Sequence, residues 1–585
     1  MNVICSTLNA KYIHTNLAIR LLKAYALPEF DIQIKEFTLK DPVFNIVSEL
    51  YQQNPAVIGF SCYIWNIEET IKVISYLKKV NPSILIVLGG PEVSYDSLEW
   101  MQRIPEVDFI VMGDGELTFK RLLTEIEKVG DFTCVPGLAF RSDGQVVINP
   151  QTNELNIKCI PSPYRFEEDI PHLSKRITYF ETSRGCPFTC QYCQSSIEVG
   201  VQYFDREKVK DDLRFLMANG AKTIKFLDRT FNISRSYAME IFQFLIDEHV
   251  PGTVFQFEIT ADIMRPEVIE FLNQEAPKGL FRFEIGVQST NDQTNELVKR
   301  KQNFSKLTRT VKMIKEGGKI DLHLDLIAGL PLEDYTSFRK SFNDVFELRP
   351  EELQLGFLKM LRGTGLRLSA ANWDYAFMDY SPYEILSNNV LPFSDVIKIK
   401  QVEDVLEKYW NDHRMDCMIE YLISKVFVSP FDFFQEFGMF WDKQGWARIG
   451  HQLEDLFRRL DTFLKANSVK NLDIITGLMK YDYLKNHKYK PRKPWWEASL
   501  EKKERGLLYK RILEQPAILG QSFMNLQLDE KDLFKYTMIE VLSFDLLLFL
   551  ETGKIEKLPS YLLAYFDAAN EKTVIFTFKE EKPAK

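Results

Sequence analysis

The sequence lacks both a long uncharged apolar run and an excess of basic residues. Its densest apolar stretch, Val541–Leu550, is short and contains Asp545, whereas a membrane-spanning helix needs roughly 18 apolar residues. The first residues become polar too early for a signal peptide. The net charge is -9, so nucleic acid is not a favoured partner, although a local basic patch could still bind it. These absences predict a soluble, cytoplasmic protein without a membrane partner.

Cysteine and histidine are also scarce. The 585 residues include eight cysteines and seven histidines, and three of the cysteines lie between positions 186 and 193. Such a cluster argues for a reducing compartment and for cofactor chemistry, and against a disulfide framework. Hydrophobic residues make up 45% of the chain, which is typical of globular proteins, and the length predicts three or four domains.

The clustered cysteines lie in the segment Arg184–Cys193 with the spacing C-x3-C-x2-C. They follow a strand-like run, Ile177–Thr182, and Gly185 and Pro187 interrupt regular structure. The thiols are therefore expected on a loop that can fold around a soft metal or an iron–sulfur cluster. Structural zinc is one alternative, but it needs four ligands and no second cysteine pair lies nearby. An accidental trio of structural cysteines is the other.

This spacing, with Tyr192 directly before the third cysteine, resembles that of the radical S-adenosylmethionine (SAM) enzymes. The resemblance implies that Cys186, Cys190 and Cys193 are the catalytic metal ligands of a 4Fe–4S cluster. It also implies that the amino and carboxylate groups of SAM chelate the fourth iron, with Tyr192 in the cofactor site. A reductant such as flavodoxin or ferredoxin is then expected as a partner.

Residues 1–140 alternate short apolar strands with amphipathic helices. The predicted strands are Val3–Ser6, Asp31–Glu36, Ala56–Cys62, Ile84–Gly89 and Phe109–Met112. This alternation predicts a doubly wound, Rossmann-like parallel sheet that binds its ligand beyond the carboxyl ends of the strands. No G-x-G-x-x-G follows the first strand, which argues against a dinucleotide ligand.

Polar and glycine-rich segments follow three of these strands, namely Ser61–Asn66, Gly89–Ser94 and Gly113–Glu116. Glycines there either make tight turns or let a large ligand approach the backbone. Placed before the cysteine motif, this half is similar to the cobalamin-binding domain of the cobalamin-dependent radical SAM enzymes. The resemblance implies that cobalamin contacts Ser61, Tyr63, Gly89, Gly90, Pro91, Glu92, Gly113, Gly115 and Glu116.

One departure concerns the ligand of cobalt. The D-x-H-x-x-G motif, whose histidine binds cobalt from below in other cobalamin proteins, is absent, and His14 is the only histidine before His172. The resemblance therefore implies a corrin without a histidine lower ligand. His14 is expected either to contact the ligand or to make hydrogen bonds at the start of a helix.

Residues 141–175 predict a linker with a short hairpin, and strand–helix alternation returns in residues 176–365. Six strand–helix units predict a partial (βα)6 barrel of the TIM type, with its chemistry at the C-terminal mouth. The predicted strands are Ile177–Thr182, Thr223–Asp228, Val254–Thr260, Phe281–Val287, Asp321–Ala328 and Leu353–Leu358.

Acidic and amide side chains recur at or near the ends of these strands. Carboxylates that face a barrel interior are costly unless they bind something. In radical SAM enzymes, residues of these strands hold the amino group, ribose and adenine of SAM. The alternative for any single carboxylate is a structural ion pair, for example with Arg229 or Arg282. The resemblance assigns the SAM-binding role to Asp228, Glu258, Glu284 and Gln288.

Residues 366–585 predict a mostly helical C-terminal domain, with helix-period patterns in Ser394–Asp412, Leu453–Ala466 and Leu533–Glu551. Its many aromatic side chains form either a helical core or a cover over the substrate. The segment Lys485–Trp496 mixes cations with aromatic rings, as nucleic-acid contacts do, but a solvated loop suits the acidic chain better. We expect this domain to set specificity for a substrate that is either a small molecule or a macromolecule.

The resemblance covers residues 1 to about 365 and implies an enzyme that cleaves SAM reductively to a 5′-deoxyadenosyl radical. That radical would remove hydrogen from an unactivated carbon, and methylcobalamin would supply a methyl group, which makes the expected activity a C-methyltransferase. The alternatives are a cobalamin-assisted rearrangement or cyclisation without methyl transfer, and a non-catalytic sensor module that binds a cluster or a corrin.

Overall fold

The computed structural model describes residues 1–197, 200–567 and 569–579. The chain forms two compact units. The first contains Met1–Pro350 and Gln354–Val396, and the second contains Glu351–Leu353 and the described residues from Ile397 onward. The predicted C-terminal domain extends to residue 585, and its residues 580–585 lie outside the described part. No helix among the described residues is long and apolar enough to cross a membrane.

The first unit begins with a seven-stranded sheet of order β2-β1-β3-β4-β5-β6-β7. The first five strands in this order pair in parallel, which confirms the predicted Rossmann-like sheet, and the last two pair antiparallel. The predicted hairpin begins earlier than residue 141 and extends this sheet. The strands are β1 (Val3–Asn9), β2 (Ile32–Thr38), β3 (Val57–Ser61), β4 (Leu85–Gly89), β5 (Phe109–Val111), β6 (Leu138–Ser142) and β7 (Gln145–Ile148).

Helices cover both faces of this sheet, because its strands are apolar on both sides. One core cluster contains Ile58 and Leu88, and a second contains Val57 and Phe119. The strand order changes direction between β1 and β3, where ligands of such sheets bind. The helices are α1 (Leu17–Ala26), α2 (Val43–Gln52), α3 (Ile67–Val80), α4 (Pro91–Ser94), α5 (Ser97–Arg103) and α6 (Gly115–Lys128).

A second sheet of the same unit has the order β15-β14-β13-β12-β11-β8, so neighbouring strands follow one another in the chain. This arrangement confirms the predicted six-stranded partial barrel. Its strands are β8 (Ile177–Phe180), β11 (Thr223–Phe226), β12 (Val254–Glu258), β13 (Phe281–Gln288), β14 (Asp321–Ala328) and β15 (Glu352–Phe357), and β9 (Ser183–Arg184) and β10 (Gln202–Tyr203) form a separate hairpin. The helices are α7 (Arg206–Ala218), α8 (Arg235–Glu248), α9 (Pro266–Glu275), α10 (Asp292–Leu297), α11 (Phe304–Gly317) and α12 (Tyr335–Phe346).

Burial alternates along the barrel strands. In β13, Phe283 and Ile285 are fully buried, whereas Glu284 and Gly286 stay partly accessible. Side chains of a strand point alternately to its two faces, so one face of the sheet is apolar and the other is polar. The polar face is where the sequence places most of the predicted SAM contacts.

The remaining elements of the first unit are α13 (Gly365–Leu368), β16 (Ala376–Phe377), β17 (Ile385–Ser387) and the start of α14 (Phe393–Leu406). The second unit is mostly helical, as predicted, and adds a three-stranded antiparallel sheet. Its elements are α15 (Asp416–Tyr421), α16 (Pro430–Lys443), α17 (Leu453–Ala466), α18 (Leu472–Lys485), α19 (Lys502–Glu514), α20 (Gln521–Met524), α21 (Glu530–Tyr536), β18 (Thr537–Leu542), α22 (Leu546–Thr552), β19 (Ser560–Asp567) and β20 (Lys572–Phe578).

The prediction of one helical segment over Leu533–Glu551 is wrong. The structure divides it into α21, β18 and α22, because Thr537–Leu542 pairs along its whole length with β19. Asp545 then starts a new helix by accepting a hydrogen bond from the backbone N–H of Leu548. The apolar residues of two short helices and a buried strand together resemble a single helical period.

Candidate active site

The cysteine motif forms a loop that a short hairpin closes. β9 and β10 pair antiparallel, with Arg184 opposite Gln202, and hold the two ends of the loop together. Gly185 has a φ of +89°, and a β-carbon there would collide with the carbonyl oxygen of Gly200. The loop can therefore close in this way only with glycine at position 185.

The three thiols of the loop are free and largely shielded from solvent. Cys186 and Cys190 are each 8% exposed, and Cys193 is half-buried. Burial raises the pKa of the Cys186 and Cys190 thiols. Within the described ranges, no three His, Cys, Asp or Glu side chains gather at one point as ligands of a single metal ion do. Three thiols on one loop are one fewer than the four ligands that structural zinc needs.

Arg300 connects this loop to the barrel. Its Nη1 donates to Tyr192 Oη at 3.1 Å, and its Nη2 donates to the carbonyl oxygen of Gly286 on β13. Burial raises the pKa of Tyr192, so the phenol stays protonated. Burial also raises the pKa of Cys190, and the Arg300 charge opposes that rise. Arg300 thus places a positive charge beside the cysteine loop while it orients Tyr192.

Gln288 ends β13 next to this arginine. Its φ is +69°, and the pairing of β13 with β14 shifts between Gly286 and Gln288. The bulge brings the Gln288 amide over Gly286, where a β-carbon would collide with it. In the part of the chain that the structure describes, the buried Gln288 Oε1 has no hydrogen-bond partner. An unsatisfied buried acceptor costs free energy, and a donor on a bound ligand would satisfy it.

Two glutamates lie opposite each other on the polar face of the barrel. Glu258 faces Glu284 in the pairing of β12 with β13, and like charges in that position repel. Lys225 Nζ neutralises Glu284 by donating to its two oxygens at 2.8 and 2.7 Å. Burial raises the pKa of Glu258 to about 7, although Arg229 acts in the opposite direction. Glu258 therefore changes charge near neutral pH and can accept hydrogen bonds from a cationic or hydroxyl-bearing ligand.

Asp228 lies apart from this open face. It is 1% exposed and accepts hydrogen bonds from Thr182 N at 3.1 Å, Thr182 Oγ1 at 2.6 Å and Ser183 Oγ at 2.5 Å. Burial raises its pKa, and these hydrogen bonds oppose that rise. Asp228 thus fixes the segment between β8 and the cysteine loop.

The predicted cobalamin contacts Ser61 and Tyr63 lie at the carboxyl end of β3, where Ser61 is the last residue of the strand. Ser61 O and Oγ accept hydrogen bonds from Asn66 Nδ2 at 2.9 Å and Asn16 Nδ2 at 3.3 Å. Tyr63 stacks on Trp65 with the ring centroids 4.3 Å apart. Trp65 is 49% exposed, so the stacked pair presents an aromatic surface at this edge.

The turn after β4 requires glycine at its second position. Gly89 ends the strand, and Gly90 has a φ of +108°, where a β-carbon would lie 2.6 Å from Cys62 O. Pro91 then begins α4. Glycine at position 90 therefore lets the backbone of the turn pack directly against the backbone of Cys62.

Glu92, the next residue, points into the protein. It is fully buried and accepts a hydrogen bond from Tyr383 Oη at 2.5 Å, and its Oε1 lies 3.3 Å from Arg362 Nε. Burial raises its pKa to about 6. The structure therefore places Glu92 in a buried polar cluster and not on the open edge.

The turn after β5 binds the start of the cysteine motif. Gly113 has a φ of +69°, and Gly115 begins α6. Arg184 Nη2 lies 2.6 Å from Glu116 Oε1, and Arg184 Nη1 lies 3.2 Å from Asp114 Oδ1. Burial lowers the pKa of Arg184, but the neighbouring carboxylates raise it well above its ordinary value. The predicted cobalamin turn and the cysteine loop are therefore joined by a buried ion pair.

His14 also joins the two sheets. Its Nδ1 lies 2.9 Å from Tyr179 Oη on β8. Burial and the neighbouring cations lower its pKa, which favours the neutral ring. Asn16, and not His14, accepts the first hydrogen bond of α1.

Sequence reasoning missed three arginines of this region. Arg184 belongs to the cysteine motif, Arg300 stands between two other cations, and Arg362 follows the last barrel strand. Their partners lie far away in the sequence, as in the pair of Arg362 with Glu99. No local pattern separates such residues from surface arginines.

Three family models match successive parts of the chain. Residues 5–123 match the B12 binding domain, residues 180–345 match the radical SAM superfamily, and residues 371–564 match a protein family of unknown function (DUF4080). The chain combines a B12 binding domain with a radical SAM domain.

Two curated relatives of this chain are methyltransferases. The cobalamin-dependent radical SAM methyltransferase TokK of Streptomyces tokunonensis is 27% identical over 356 residues, which cover 58% of this chain and 52% of TokK. The 2-(S-pantetheinyl)-carbapenam-3-carboxylate methyltransferase of Streptantibioticus cattleyicolor is 28% identical over 346 residues, which cover 56% of this chain and 50% of the relative. The chain thus spans about half the length of these relatives.

A solved structure shares the fold. It is that of the cobalamin-dependent S-adenosylmethionine radical enzyme OxsB with aqua-cobalamin and S-adenosylmethionine bound. The TM-score is 0.56 at 15% sequence identity, and the match covers 82% of this chain and 79% of OxsB.

Proposed function

We propose that this cobalamin-binding radical SAM enzyme cleaves SAM reductively and methylates an unactivated carbon of its substrate. The observation that carries the proposal is the ion pair of Arg184 with Glu116, which holds the three-cysteine loop against the B12-binding sheet. The methyltransferase relatives support methyl transfer as the outcome.

The cluster would be held by Cys186, Cys190 and Cys193, which are free thiols on one shielded loop. When bound, the reduced cluster and SAM supply the 5′-deoxyadenosyl radical, and cobalamin supplies the methyl group. The protein contributes exclusion of water around Cys186 and Cys190, together with the positive charge of Arg300 beside the loop.

We propose that SAM lies against the polar face of the barrel. Gln288 Oε1 and the Glu258 carboxylate would accept hydrogen bonds from its amino group and ribose hydroxyls. Glu284, already paired with Lys225, would complete this polar surface. Tyr192 and Asp228 would act indirectly, by orienting the cysteine loop through the contacts described above.

Cobalamin would bind at the carboxyl ends of the strands of the first sheet. Its proposed contacts are Ser61, Tyr63 and the backbone at Gly89, Gly90, Pro91, Gly113 and Gly115, where the turns leave the backbone accessible. Glu92 and Glu116 would fix these turns through their ion pairs with Arg362 and Arg184. Because the sequence has no D-x-H-x-x-G motif, we propose a corrin without a histidine lower ligand.

The proposed partner is a reductant of the flavodoxin or ferredoxin class in a reducing, cytoplasmic compartment, in keeping with eight free cysteines. Nucleic acid remains a less favoured partner. In the basic segment, Lys488 pairs with Glu571 and Lys490 donates to Phe534 O, so two of its cations are already engaged. We propose that the second unit contributes to substrate specificity.

The test uses anaerobically reconstituted protein with dithionite, SAM carrying an isotope-labelled methyl group, and fractionated extract as the source of substrate. Methylation predicts 5′-deoxyadenosine and S-adenosylhomocysteine together, with the label in a product. Rearrangement or cyclisation would give 5′-deoxyadenosine without label transfer, and a sensor module would give neither. A variant with all three motif cysteines changed to alanine is the control and should yield none of these products.

A further inference from the structure

Gln194, which directly follows the third motif cysteine, forms a hydrogen bond with the turn at the carboxyl end of β4. Its Nε2 donates to Pro91 O at 3.3 Å and to Arg362 O at 3.0 Å. Pro91 follows Gly90 in the turn after β4. The Gln194 side chain is therefore a direct polar contact between the cysteine loop and that turn.

Arg362 supports this contact from the other side. It is 2% exposed, and its guanidinium donates to Glu99 at 2.9 and 3.0 Å and to Asp96 at 2.8 Å. These carboxylates follow the Gly90–Pro91 turn in the chain. Because charge-assisted, bidentate hydrogen bonds hold the buried arginine, its backbone carbonyl is a fixed acceptor for Gln194.

The residues after Arg362 bind the same loop and the same turn. Leu366 N donates to Gln191 O at 2.8 Å, and a β-carbon at Gly363 would lie 2.7 Å from the ring of Tyr95. Residues 362–366 are thus packed against the cysteine loop and against the segment that follows the glycine turn. If the cysteine loop became less ordered, the contacts of residues 362–366 would transmit that change to the turn.

We propose that Gln194 is a positioning residue that couples assembly of the cluster to cobalamin binding at the Gly90–Pro91 turn. This inference rests on the proposed function, because it takes both cofactors as given. A loop ordered by the cluster presents the Gln194 amide to Pro91, whereas a loose loop loses these hydrogen bonds. Net hydrogen-bond contributions of this kind correspond to about a fivefold change in affinity. Reciprocity requires that cobalamin favour the cluster by the same factor.

The chain offers a matched control in Gln191. Its side chain donates to Thr189 O at 3.0 Å and lies against Gly365, so it has the same chemistry and also contacts residues 362–366, but it makes no hydrogen bond to Pro91. Hydroxocobalamin is titrated, with absorbance as the readout, into cluster-loaded and iron-free forms of the wild type, Gln194→Ala and Gln191→Ala. Iron content and circular dichroism establish that each form is loaded and folded.

The expected result is a dissociation constant about fivefold lower in the cluster-loaded wild type than in its iron-free form. Gln194→Ala should abolish that ratio, and Gln191→Ala should keep it. An unchanged ratio in Gln194→Ala, or equal affinity of both wild-type forms, would overturn the coupling while leaving the proposed function intact. Failure of the wild type to bind hydroxocobalamin in either form would overturn both.

Discussion

Replacing Glu333 with glutamine should remove a pH-dependent loss of stability at the mouth of the barrel. Glu333 is fully buried, and its Oε1 accepts hydrogen bonds from Ser289 Oγ at 2.6 Å and Ser341 Oγ at 2.7 Å. These contacts join the loop after β13 to α12. Its Oε2 has no hydrogen-bond partner among the residues that the structure describes. Burial raises its pKa to about 7.

The sign and size of the effect follow from that pKa. An unfolded chain releases the Glu333 proton near its ordinary value of 4.5, whereas the folded chain keeps it to about pH 7. The folded state is therefore favoured below pH 4.5, and this advantage is lost progressively as the pH rises to about 7. The difference corresponds to at most about 3 kcal/mol of unfolding free energy.

The measurement compares thermal unfolding midpoints of the wild type and Glu333→Gln between pH 5 and pH 8. The amide keeps an acceptor for both serines and never ionises, so the variant should match the wild type at pH 5 and exceed it at pH 8. Glu347→Gln, at an exposed position, is the control and should show no such gain. Equal destabilisation of Glu333→Gln at both pH values would refute the reasoning, because it would mean that the pKa of Glu333 is not raised by folding.

Three further predictions concern the cofactor regions. Gly90→Ala should weaken hydroxocobalamin binding at least tenfold in an absorbance titration. A β-carbon at this position would lie 2.6 Å from Cys62 O, at a φ that alanine disfavours. Unchanged binding would contradict the proposed contact. Arg300→Met should lower the iron retained after gel filtration, since the loop loses its link to β13, whereas Lys301→Met, at an exposed site, should not. The affinity for SAM, measured by equilibrium dialysis, should rise with pH through about 7 as Glu258 ionises. Glu258→Gln should flatten this pH dependence. If the variant shows the same pH dependence as the wild type, Glu258 is excluded as the titrating group.

The sequence predicts elements whose partners are close in the chain. The parallel strands β1 to β5 and the barrel strands follow from short apolar runs alternating with amphipathic helices, and the structure confirms both sheets. The sequence does not predict a strand over residues 537–542, because the pairing partner of this segment is the distant strand Ser560–Asp567. Local periodicity contains no information about such a partner.

The same limit applies to the candidate site. Motif spacing identifies the three thiols and the two glycine turns, because closely spaced cysteines and glycines at strand ends form local patterns that can be recognised without knowledge of the fold. It does not show that Glu92 and Glu116 point at arginines, since Arg362 and Arg184 lie far from them in the sequence. Nor does it reveal the bulge that leaves Gln288 Oε1 unsatisfied, which arises from a shift in strand pairing.

The most direct test of the account is a determination of iron and cobalt in anaerobically reconstituted protein, together with the electron paramagnetic resonance spectrum after reduction. The account predicts one corrin and about four irons per chain. It also predicts loss of the iron, with the corrin retained at saturating cobalamin, when Cys186, Cys190 and Cys193 are changed to alanine. A wild type that binds no corrin, or iron that survives the loss of these three thiols, would contradict it.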